Sequence, residues 1–561
     1  MDNFLNKYPY TDFHELNLDY VLKTVKNIND KVDNFINFNT IKYADPIEWI
    51  ITSQYQKNTV VIDNTEHIAY LSVDNVPEGV LLTDTDYWTP ILDLRSFYAS
   101  IGDLDTLHTL IKDNLVNAIN EISDKLEWYT TPELFGAVGD GITDDSAAFQ
   151  NALDSDFPCV VFTGSYNVNG IHIPENKKLL GHNATIKSSD AITIDSESNI
   201  IIRGLHFITT TYNQETVLNI LNSNNIIVDE CEFEGVYAGG TIVGVGLIHV
   251  ETSNDCVFKN VILHDSNSEG LIISNSKHCT VFGGKYYDNR RGSGVHTGNS
   301  DTLDLYGGHV IAGVECYNCA GSNIGMSGYR NICIGCYIHD NADTTHAIAL
   351  GHPNAGGSEC IVMGNILKNN NEGIYAYEAT DTIICNNFID GNNIPNPGDV
   401  NNGINCALNC SNITVANNTI MRCENGLNAI PFAFNNNIHD CNKAIYGDSS
   451  RTVKTHASGN IIKGCVQGCI NCDIIDNNNI ETSSYSVLNY ARIIRNNVIK
   501  GDYGVYISDA SAGDSFIIGN HIEASSRACY LINTGVFEYN FLVTNHDVTA
   551  PNMTAINNYM F

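Results

Sequence analysis

The dominant pattern along the chain is a short repeat: two or three β-branched residues, then a polar residue, a variable residue and an apolar residue. It runs through the sequence after Trp128 and is clearest in residues 475–480, 494–499 and 517–522. The polar anchors recur every 18 to 31 residues. Self-similarity at this period, built from β-branched residues and asparagine, predicts a β-solenoid. The anchors are Cys231, Asn260, Gly284, Val314, Cys336, Asn365, Asn387, Asn418, Asn436, Asn460, Asn478, Asn497, Asn520, Asn540 and Asn558.

Two further rows test this register. The residue three positions before most anchors is apolar, as an inward-facing stack requires. This row contains Val228, Val257, Val281, Ile311, Cys333, Val362, Ile384, Val415, Ile475, Ile494 and Ile517. The residue five positions after many anchors is asparagine or cysteine, which predicts a ladder of side chains bonded from coil to coil. This second row contains Asn289, Cys319, Asn341, Asn370, Asn392, Cys423, Cys441 and Cys465.

Three segments precede the repeat. Apolar residues spaced 3-4-3-4-3 within residues 1–46 predict a helical coiled-coil segment, with an amphipathic helix packed on its own domain as the alternative. Residues 47–102 predict a small β domain with a hairpin over residues 59–73. An apolar stripe predicts a helical neck over residues 103–127. Residues 128–561 then form the solenoid.

The charge of the chain excludes several classes of partner. With 29 basic and 64 acidic residues the net charge is −35, which repels nucleic acid and anionic membranes. No apolar run approaches the ~20 residues of a membrane span, so membrane insertion is not expected. The N-terminus lacks the basic and apolar regions of a signal peptide, so we expect synthesis in the cytoplasm without one.

Four cysteines have the spacing of a zinc site. They are the pairs Cys316-x-x-Cys319 and Cys333-x-x-Cys336. Each of them also falls where another coil has Asn, Val or Ile, and this favours reduced cysteines in the core. We therefore expect no metal site and no cofactor, although a polyanionic partner would still need a basic patch or a bridging divalent cation.

Residues 135–150 carry the first family resemblance. They read FGAVGDGITDDSAAFQ, in which glycines make a turn, Asp144 or Asp145 caps a helix, and Ala148, Phe149 and Leu153 face the core. The segment resembles the opening of the pectate-lyase-like β-helix superfamily, which includes many phage tail spikes and depolymerases. The resemblance implies a mainly β fold, a right-handed parallel β-helix over residues 128–561.

A second resemblance lies near the N-terminus. Residues 8–17, YPYTDFHELN, and residues 86–88, DYW, resemble the virion-attachment region of preneck-appendage proteins from short-tailed phages of Gram-positive hosts. The resemblance covers roughly residues 1–125. It implies a parallel homotrimer fixed to a head, connector or tail protein of the virion, acting at the host cell surface.

A second short strand, Gly-apolar-x-apolar, precedes most anchors, and its x residue points outward. The x residues are Ile272, His296, Gly325, Ala349, Tyr375, Asn405, Asn428 and Tyr446. Tyrosine rings and asparagine amides on stacked strands suit an extended glycan, whereas the alternative is an ordinary solvated face. The candidate substrate-binding residues are His296, Tyr375, Tyr377, Asn405, Asn428, Tyr446, His352 and Glu269.

The candidate catalytic residues are Glu372, Glu378 and His346. Glycoside hydrolysis needs two carboxylates about 5–10 Å apart, and Glu372 and Glu378 flank one strand. We expect a phage tail spike that binds, and as a glycoside hydrolase or lyase degrades, a bacterial surface glycan such as teichoic acid or capsule. A non-catalytic adhesin or a structural virion fibre of the same fold is the alternative, because neither the paired Asp motifs of polygalacturonases nor the catalytic Arg pattern of lyases is visible.

Overall fold

The structure, a computed structural model, describes most of the chain from residue 47 onward. The described residues are 47–93, 95, 128–210, 216–236, 246–298, 306–341, 346–351, 356–391, 401–407, 409–448, 454–509, 513–532, 534–544, 548–549 and 553–560. The chain divides into two compact units, residues 1–127 and residues 128–561. The helices expected over residues 1–46 and 103–127 lie outside the described residues.

The first unit contains a small sheet. Its strands are β1 (Ile47–Glu48), β2 (Val60–Asp63), β3 (Ile68–Ser72) and β4 (Trp88–Asp93). Strands β2, β3 and β4 are antiparallel, and β1 lies parallel beside β2. The predicted hairpin forms, because the Asp63 carboxylate accepts the backbone N–H groups of Thr65 and Glu66 and fixes the turn. The core of this sheet contains Tyr55, Val61, Val76, Leu82 and Trp88.

Near its start the second unit has a short 3-10 helix, Pro132–Phe135, and one α-helix, α1 (Ser146–Asp154). The Asp144 carboxylate accepts the Ser146 N–H at 3.0 Å, but the N-cap residue is Asp145 and its side chain makes no capping bond to the helix. Asp145 instead accepts the backbone N–H groups of Val138 and Gly139, which holds the glycine-rich turn against the helix. The helix buries Ala148, Phe149, Ala152 and Leu153 against the first coil.

The remaining strands form a right-handed parallel β-helix, so the predicted fold class is confirmed. Each full coil passes through three parallel sheets, which we call A, B and C, and each strand pairs with the equivalent strands of the coils before and after it. Parallel strands joined by crossovers in one sheet are right-handed almost without exception. The core is one continuous column of buried apolar side chains inside the three sheets.

Sheet B comes directly before the turn that carries the asparagine ladder described below. Its strands are β5 (Tyr129–Thr130), β7 (Cys159–Phe162), β13 (Asn224–Asp229), β16 (Val257–Lys259), β19 (Thr280–Phe282), β22 (Val310–Ala312), β26 (Ile332–Ile334), β30 (Ile361–Met363), β33 (Ile383–Cys385), β36 (Thr414–Ala416), β39 (Phe432–Phe434), β42 (His456–Ser458), β45 (Ile474–Asp476), β48 (Ile493–Arg495), β50 (Ser515–Ile518), β52 (Gly535–Glu538) and β54 (Met553–Ile556).

Sheet C follows sheet B in each coil. Its strands are β6 (Asp140–Asp144), β8 (Ser165–Val168), β14 (Glu232–Glu234), β17 (Ile262–His264), β20 (Lys285–Tyr287), β23 (Glu315–Tyr317), β27 (Tyr337–His339), β31 (Ile366–Lys368), β34 (Phe388–Asp390), β37 (Thr419–Met421), β40 (Asn437–His439), β43 (Ile461–Cys465), β46 (Asn479–Thr482), β53 (Phe541–Thr544) and β55 (Tyr559–Met560).

Sheet A closes each coil. Its strands are β10 (Ile192–Asp195), β12 (Leu218–Leu221), β15 (Gly246–Glu251), β18 (Glu269–Ser274), β21 (Val295–Gly298), β24 (Ile324–Met326), β28 (His346–Leu350), β32 (Glu372–Ala376), β35 (Asn402–Cys406), β38 (Asn425–Asn428), β41 (Lys443–Tyr446), β44 (Gln467–Ile470) and β47 (Tyr485–Leu488). Four long strands bend between sheets: β9 (Lys178–Ser188), β11 (Ser198–Thr209), β49 (Val498–Ile507) and β51 (His521–Leu531). Two short strands, β25 (Gly328–Tyr329) and β29 (Gly357–Ser358), pair beside sheet B.

Buried asparagine anchors form a continuous ladder at the turn from sheet B to sheet C. The backbone N–H and the Nδ2 of Asn436 both donate to Asn460 Oδ1, at 2.9 and 3.0 Å, and Nδ2 also donates to Val415 O at 2.9 Å. The preceding residue, Asn435, turns the chain with a φ of 53°, in the left-handed region that asparagine and glycine tolerate best. The ladder contains Asn365, Asn387, Asn418, Asn436, Asn460, Asn478, Asn497, Asn520, Asn540 and Asn558.

The register predicted from the anchors is wrong by one residue in one coil. Val228 and Val281 pair with Phe258, so Phe258 and not Val257 faces the core. Asn260 is exposed, and the buried Val261 takes the anchor position. Both frames of this apolar stretch bury hydrophobic residues, so alternation alone does not distinguish them.

The predicted second ladder forms only in part. Asn341 and Asn370 are buried, but their Nδ2 atoms donate to the backbone carbonyls of His346 and Ile338, each at 3.1 Å. The cysteine row behaves as expected, because Cys423, Cys441 and Cys465 are all buried in consecutive coils. All eighteen cysteines lie within the described residues, and all of them are free thiols.

The stability that the ladder provides can be tested with two neighbouring substitutions, Asn436→Leu in the ladder and Asn437→Leu beside it. Asn436→Leu removes the acceptor of two buried donors of Asn418, which we expect to cost about 2–4 kcal/mol of unfolding free energy. Asn437 is exposed on sheet C, so its substitution should change stability by less than about 0.5 kcal/mol. Urea denaturation measures both. Equal losses for the two variants would contradict the ladder.

Candidate functional site

The outward residues predicted on the Gly-apolar-x-apolar strands form one column along sheet A, which we call the stripe. Each residue pairs with the next across the coils, so the predicted alignment is confirmed. The column reads Ile272, His296, Gly325, Ala349, Tyr375, Asn405, Asn428 and Tyr446. At about 4.8 Å for each of seven steps, it extends about 34 Å along the helix axis.

The glycines of this motif are required by close packing between coils. A Cβ atom at Gly373 would lie 2.2 Å from the carbonyl oxygen of Gly403, and one at Gly403 would lie 2.5 Å from that of Gly426. The following apolar residues, such as Ile374 and Ala376, are fully buried. The glycine therefore brings the strands together, and the alternation after it turns the x residue outward.

Glu372 receives a converging set of amide donors at the start of β32. Its Oε1 accepts Nδ2 of Asn402 at 2.8 Å and Nδ2 of Asn405 at 2.7 Å. One coil further, Asn425 donates to Asn402 and Asn428 donates to Asn405, at 2.8 and 2.9 Å. Two lines of amides thus end on one carboxylate oxygen. Oε1 is fully used as an acceptor, so only Oε2 is open to proton transfer.

His346 lies against the other oxygen of this carboxylate. Its Nδ1 is 2.7 Å from Glu372 Oε2, an ion-pair distance, although the geometry is too poor for a hydrogen bond. The imidazole stacks on the ring of Tyr375, with centroids 4.1 Å apart and an interplanar angle of 4°. One face of Tyr375 is therefore covered by His346. Tyr375 offers its edge and hydroxyl more readily than the flat face expected to stack on a sugar.

A second histidine and glutamate pair lies on the stripe at Glu269 and His296. Glu269 accepts the backbone N–H of Ser293, and its Oε1 is 3.4 Å from His296 Nδ1. Burial acts to lower the pKa of His296, but the close carboxylate of Glu269 outweighs burial and raises that pKa. Gly325 leaves room for this ring, since a Cβ there would lie 3.1 Å from His296 Cδ2.

The two predicted catalytic carboxylates lie at opposite ends of one strand. Glu372 begins β32, and Glu378 lies two residues beyond its end, where it accepts Nδ2 of Asn409 at 3.3 Å. The four backbone steps from Glu372 to Ala376 alone span about 13 Å. The strand thus separates the backbone positions of the two residues, whereas glycosidases hold their carboxyl groups about 5–10 Å apart.

The remaining predicted binding residues Tyr377 and Tyr446 lie at the C-terminal half of the stripe, from Tyr375 onward. The ring of Tyr377 lies 6.3 Å from that of Tyr375, and Lys443 Nζ lies 4.9 Å from the ring centre of Tyr446. His352 lies outside the described residues. Sequence analysis did not single out Asn402, which donates to Glu372, or Asn425, which donates to Asn402. The signal was present, because each residue directly precedes the glycine of the motif, as Glu372 and Glu269 do.

Sheet C carries a second ladder of rings that sequence analysis did not single out. His264, Tyr287, Tyr317 and His339 stack in consecutive coils with centroids 5.0, 4.9 and 4.9 Å apart. Each ring covers its neighbours' faces, so this ladder exposes edges. Burial opposes protonation of His264, but its bonds to Asp265 and Glu232 dominate and raise its pKa.

The four cysteines with zinc-like spacing lie in the core. The Sγ atoms are 4.0 Å apart in the pair Cys316 and Cys319, and 3.8 Å apart in the pair Cys333 and Cys336. Burial raises the pKa of Cys316 well above its ordinary value, which disfavours the thiolate that binds metals. Within the described ranges, no three His, Cys, Asp or Glu residues are grouped so as to hold a metal ion.

The same ranges contain no helix that is both long and apolar enough to span a membrane.

Comparisons with known proteins show similarity to phage appendage proteins, to pectate lyases and to phage tailspike structures. The chain is 34% identical over 102 residues to the preneck appendage protein of Bacillus phage PZA, covering 16% of this chain and only 12% of that protein. It is 25% identical over 239 residues to a probable pectate lyase B of Aspergillus flavus, covering 40% of this chain and 73% of that one. The crystal structure of the Dettilon tailspike protein matches 61% of this chain and 67% of its own, with 14% identity and a TM-score of 0.39.

No family model matches the chain. The two resemblances drawn from the sequence, to phage preneck appendage proteins and to pectate-lyase-like proteins, are confirmed as sequence similarities.

The Glu269 and His296 pair makes a pH-dependent contribution to the free energy of unfolding, and Glu269→Gln should remove it. A raised folded pKa means that the pair stabilises the fold fully below the unfolded histidine pKa of about 6.5. The stabilisation is lost as pH rises through the raised folded pKa. The loss of unfolding free energy in Glu269→Gln should therefore be larger at about pH 6 than at about pH 8. Glu481→Gln, at an exposed site, is the control, and a pH-independent loss would argue against the pair.

Proposed function

We propose that the chain is a subunit of a phage tail spike or appendage, and that its stripe binds a glycan of the bacterial surface. The observation that carries the proposal is the straight column of polar and aromatic side chains on sheet A. The similarity to the preneck appendage protein of a Bacillus phage supports the virion as its location. In this proposal the protein is made without a signal peptide in the host cytoplasm, is carried on the virion and acts at the host cell surface.

The chemistry of the stripe fits a linear polymer of sugars. Its hydrogen-bonding side chains are His296 and, in four consecutive coils, Tyr375, Asn405, Asn428 and Tyr446. These four extend about 14 Å along the helix axis, so successive sugar units there meet similar groups. Asn405 and Asn428 offer amide groups to hydroxyls, and Tyr375 offers its own hydroxyl. His296, Tyr377, Tyr446, His352 and Glu269 complete the proposed binding surface. With a net charge of −35, an anionic glycan such as teichoic acid or capsule would bind through bridging divalent cations that exchange with solvent.

Glu372 and His346 are the proposed acid–base pair. Two amides occupy Oε1 of Glu372, which leaves the side facing His346 for moving a proton. Glu378, at the far end of the strand, would bind substrate. One carboxylate with one histidine suits proton abstraction in a lyase better than hydrolysis by two close carboxylates.

A non-catalytic adhesin of the same fold is the second candidate. The observation that favours it is the engagement of both proposed catalytic groups in contacts within the protein. Glu372 holds two asparagines, and His346 stacks on Tyr375. Such contacts equally suit a surface that is rigid and only binds.

The proposed assembly is a parallel homotrimer that docks on a head, connector or tail protein. Its parts are a coiled-coil segment over residues 1–46, a β attachment domain over 47–102, a helical neck over 103–127 and the β-helix over 128–561. The similarity to a preneck appendage protein supports this arrangement, and the match spans 12% of that protein.

Glu372→Gln and Tyr375→Ala test the two candidates with purified host cell-wall polymer. If the site is catalytic, Glu372→Gln should abolish product while binding persists, because the amide keeps the shape but loses acid–base capacity. Tyr375→Ala should weaken binding roughly tenfold, about 1.4 kcal/mol, in either case. Reducing-end and ultraviolet assays detect product, and pull-down of the polymer measures binding.

Glu481→Gln is the control, because Glu481 is exposed on sheet C, away from the stripe. The adhesin candidate predicts no product from any variant, the native chain included. If all variants bind and cleave the polymer as the native chain does, the stripe is not the surface that binds the glycan.

A further inference from the structure

Sheet B carries an outward face without charge over seven consecutive coils. Each coil from β19 to β39 presents two outward residues there, and each residue pairs with its equivalents in the neighbouring coils. We call this face the apolar band. Its residues are Thr280, Phe282, Val310, Ala312, Ile332, Ile334, Ile361, Met363, Ile383, Cys385, Thr414, Ala416, Phe432 and Phe434. The side chains are half-buried or exposed, with Phe282 and Ile383 51% and 45% exposed.

Charged residues return to this face where the band ends. Asp229 and Lys259 occupy it before the band, and Asp476 and Arg495 occupy it after the band. Along one side runs a polar rim that includes the ion pair of Arg330 and Glu359, at 2.8 Å. On the other side, across the ladder turn, exposed apolar residues of sheet C widen the band: Tyr337, Ile366 and Phe388. An apolar centre inside a polar rim is typical of protein–protein interfaces.

The apolar band is not suited to a glycan. Sugar hydroxyls need hydrogen-bond partners, and along seven coils the band offers only Thr280 and Thr414. Exposed apolar surfaces of this extent are uncommon on solitary proteins and mark binding sites.

We infer that the apolar band is the surface on which a second copy of this chain packs. With 64 acidic against 29 basic residues, two copies repel each other over most of their surfaces. A contact through the band brings no charges together. Its two columns stay in register from coil to coil, so a parallel neighbour with the same repeat would meet equivalent residues at each coil. The inference rests on the proposed homotrimer, whose contact it locates, and is independent of whether the stripe binds a glycan.

The size of the band fits such a contact. Six steps of about 4.8 Å give a length of about 29 Å, and the five steps across the turn, for example from Ile332 to Tyr337, give a width of about 17 Å. The resulting area of roughly 500 Å² on each chain is of the same order as the ~800 Å² that each partner buries in a standard interface.

Cys385 provides a natural probe within the band. Only Cys385 and Cys159 among the eighteen cysteines are not buried within the chain. Labelling with a thiol reagent at about pH 8.5, followed by mass spectrometry of peptides, measures the labelling rates of Cys385 and Cys159. In the assembled native protein Cys385 should label at least tenfold more slowly than in a variant whose band cannot pack. Cys159 lies on the first coil and should label equally in all variants.

The test variant is Ile332→Glu with Phe432→Glu, which lie two coils on either side of Cys385 and would bury unpaired charges. The control is Val498→Glu with Phe541→Glu, two apolar and more exposed positions on sheet C with the same change of charge. We expect the test variant to show faster labelling of Cys385 and a lower molar mass, or a less compact assembly, by sedimentation. The control variant should show neither change. Rapid labelling of Cys385 in the native full chain, or equal protection in both variants, would overturn the inference.

Discussion

The hydrogen bonds of the buried asparagine ladder are the interaction on which the coils from Asn365 onward depend. Each ladder amide accepts two donors from the coil before it and donates to a backbone carbonyl, so each of these coils is tied to its neighbours at the same point. Loops between strands vary in length, but the ladder returns each of these coils to one register. A slip of one residue would turn every outward side chain inward and leave buried amides without partners.

One register produces three chemically different faces. On sheet A it aligns Tyr375 with Asn405 and Asn428, and gathers amides onto Glu372. On sheet B the same stacking aligns apolar side chains into a band, and on sheet C it stacks rings such as Tyr287 and Tyr317. The proposed glycan surface on sheet A and the proposed interface between chains on sheet B can therefore operate independently. Neither needs a loop to hold its geometry, because rigid strands carry both.

Much of this architecture follows from the sequence, because alternation and repetition report strand positions directly. The ladder from Asn365 onward, the stripe and the buried cysteines were all predictable in this way. Asn260 misled the prediction, since its apolar neighbours suit either frame and only pairing with Val228 and Val281 decides. The stack of His346 on Tyr375 was not predictable. It depends on rotamers and on partners 29 residues apart, which no local pattern reports.

The most direct test of this account is a crystal structure of the full chain with an oligosaccharide released from the host cell wall. The account predicts that the sugar lies along the stripe between His296 and Tyr446, with hydrogen bonds to Asn405 and Asn428. Sugar bound to sheet B or C, or in a groove between chains, while the stripe carries only water, would contradict it.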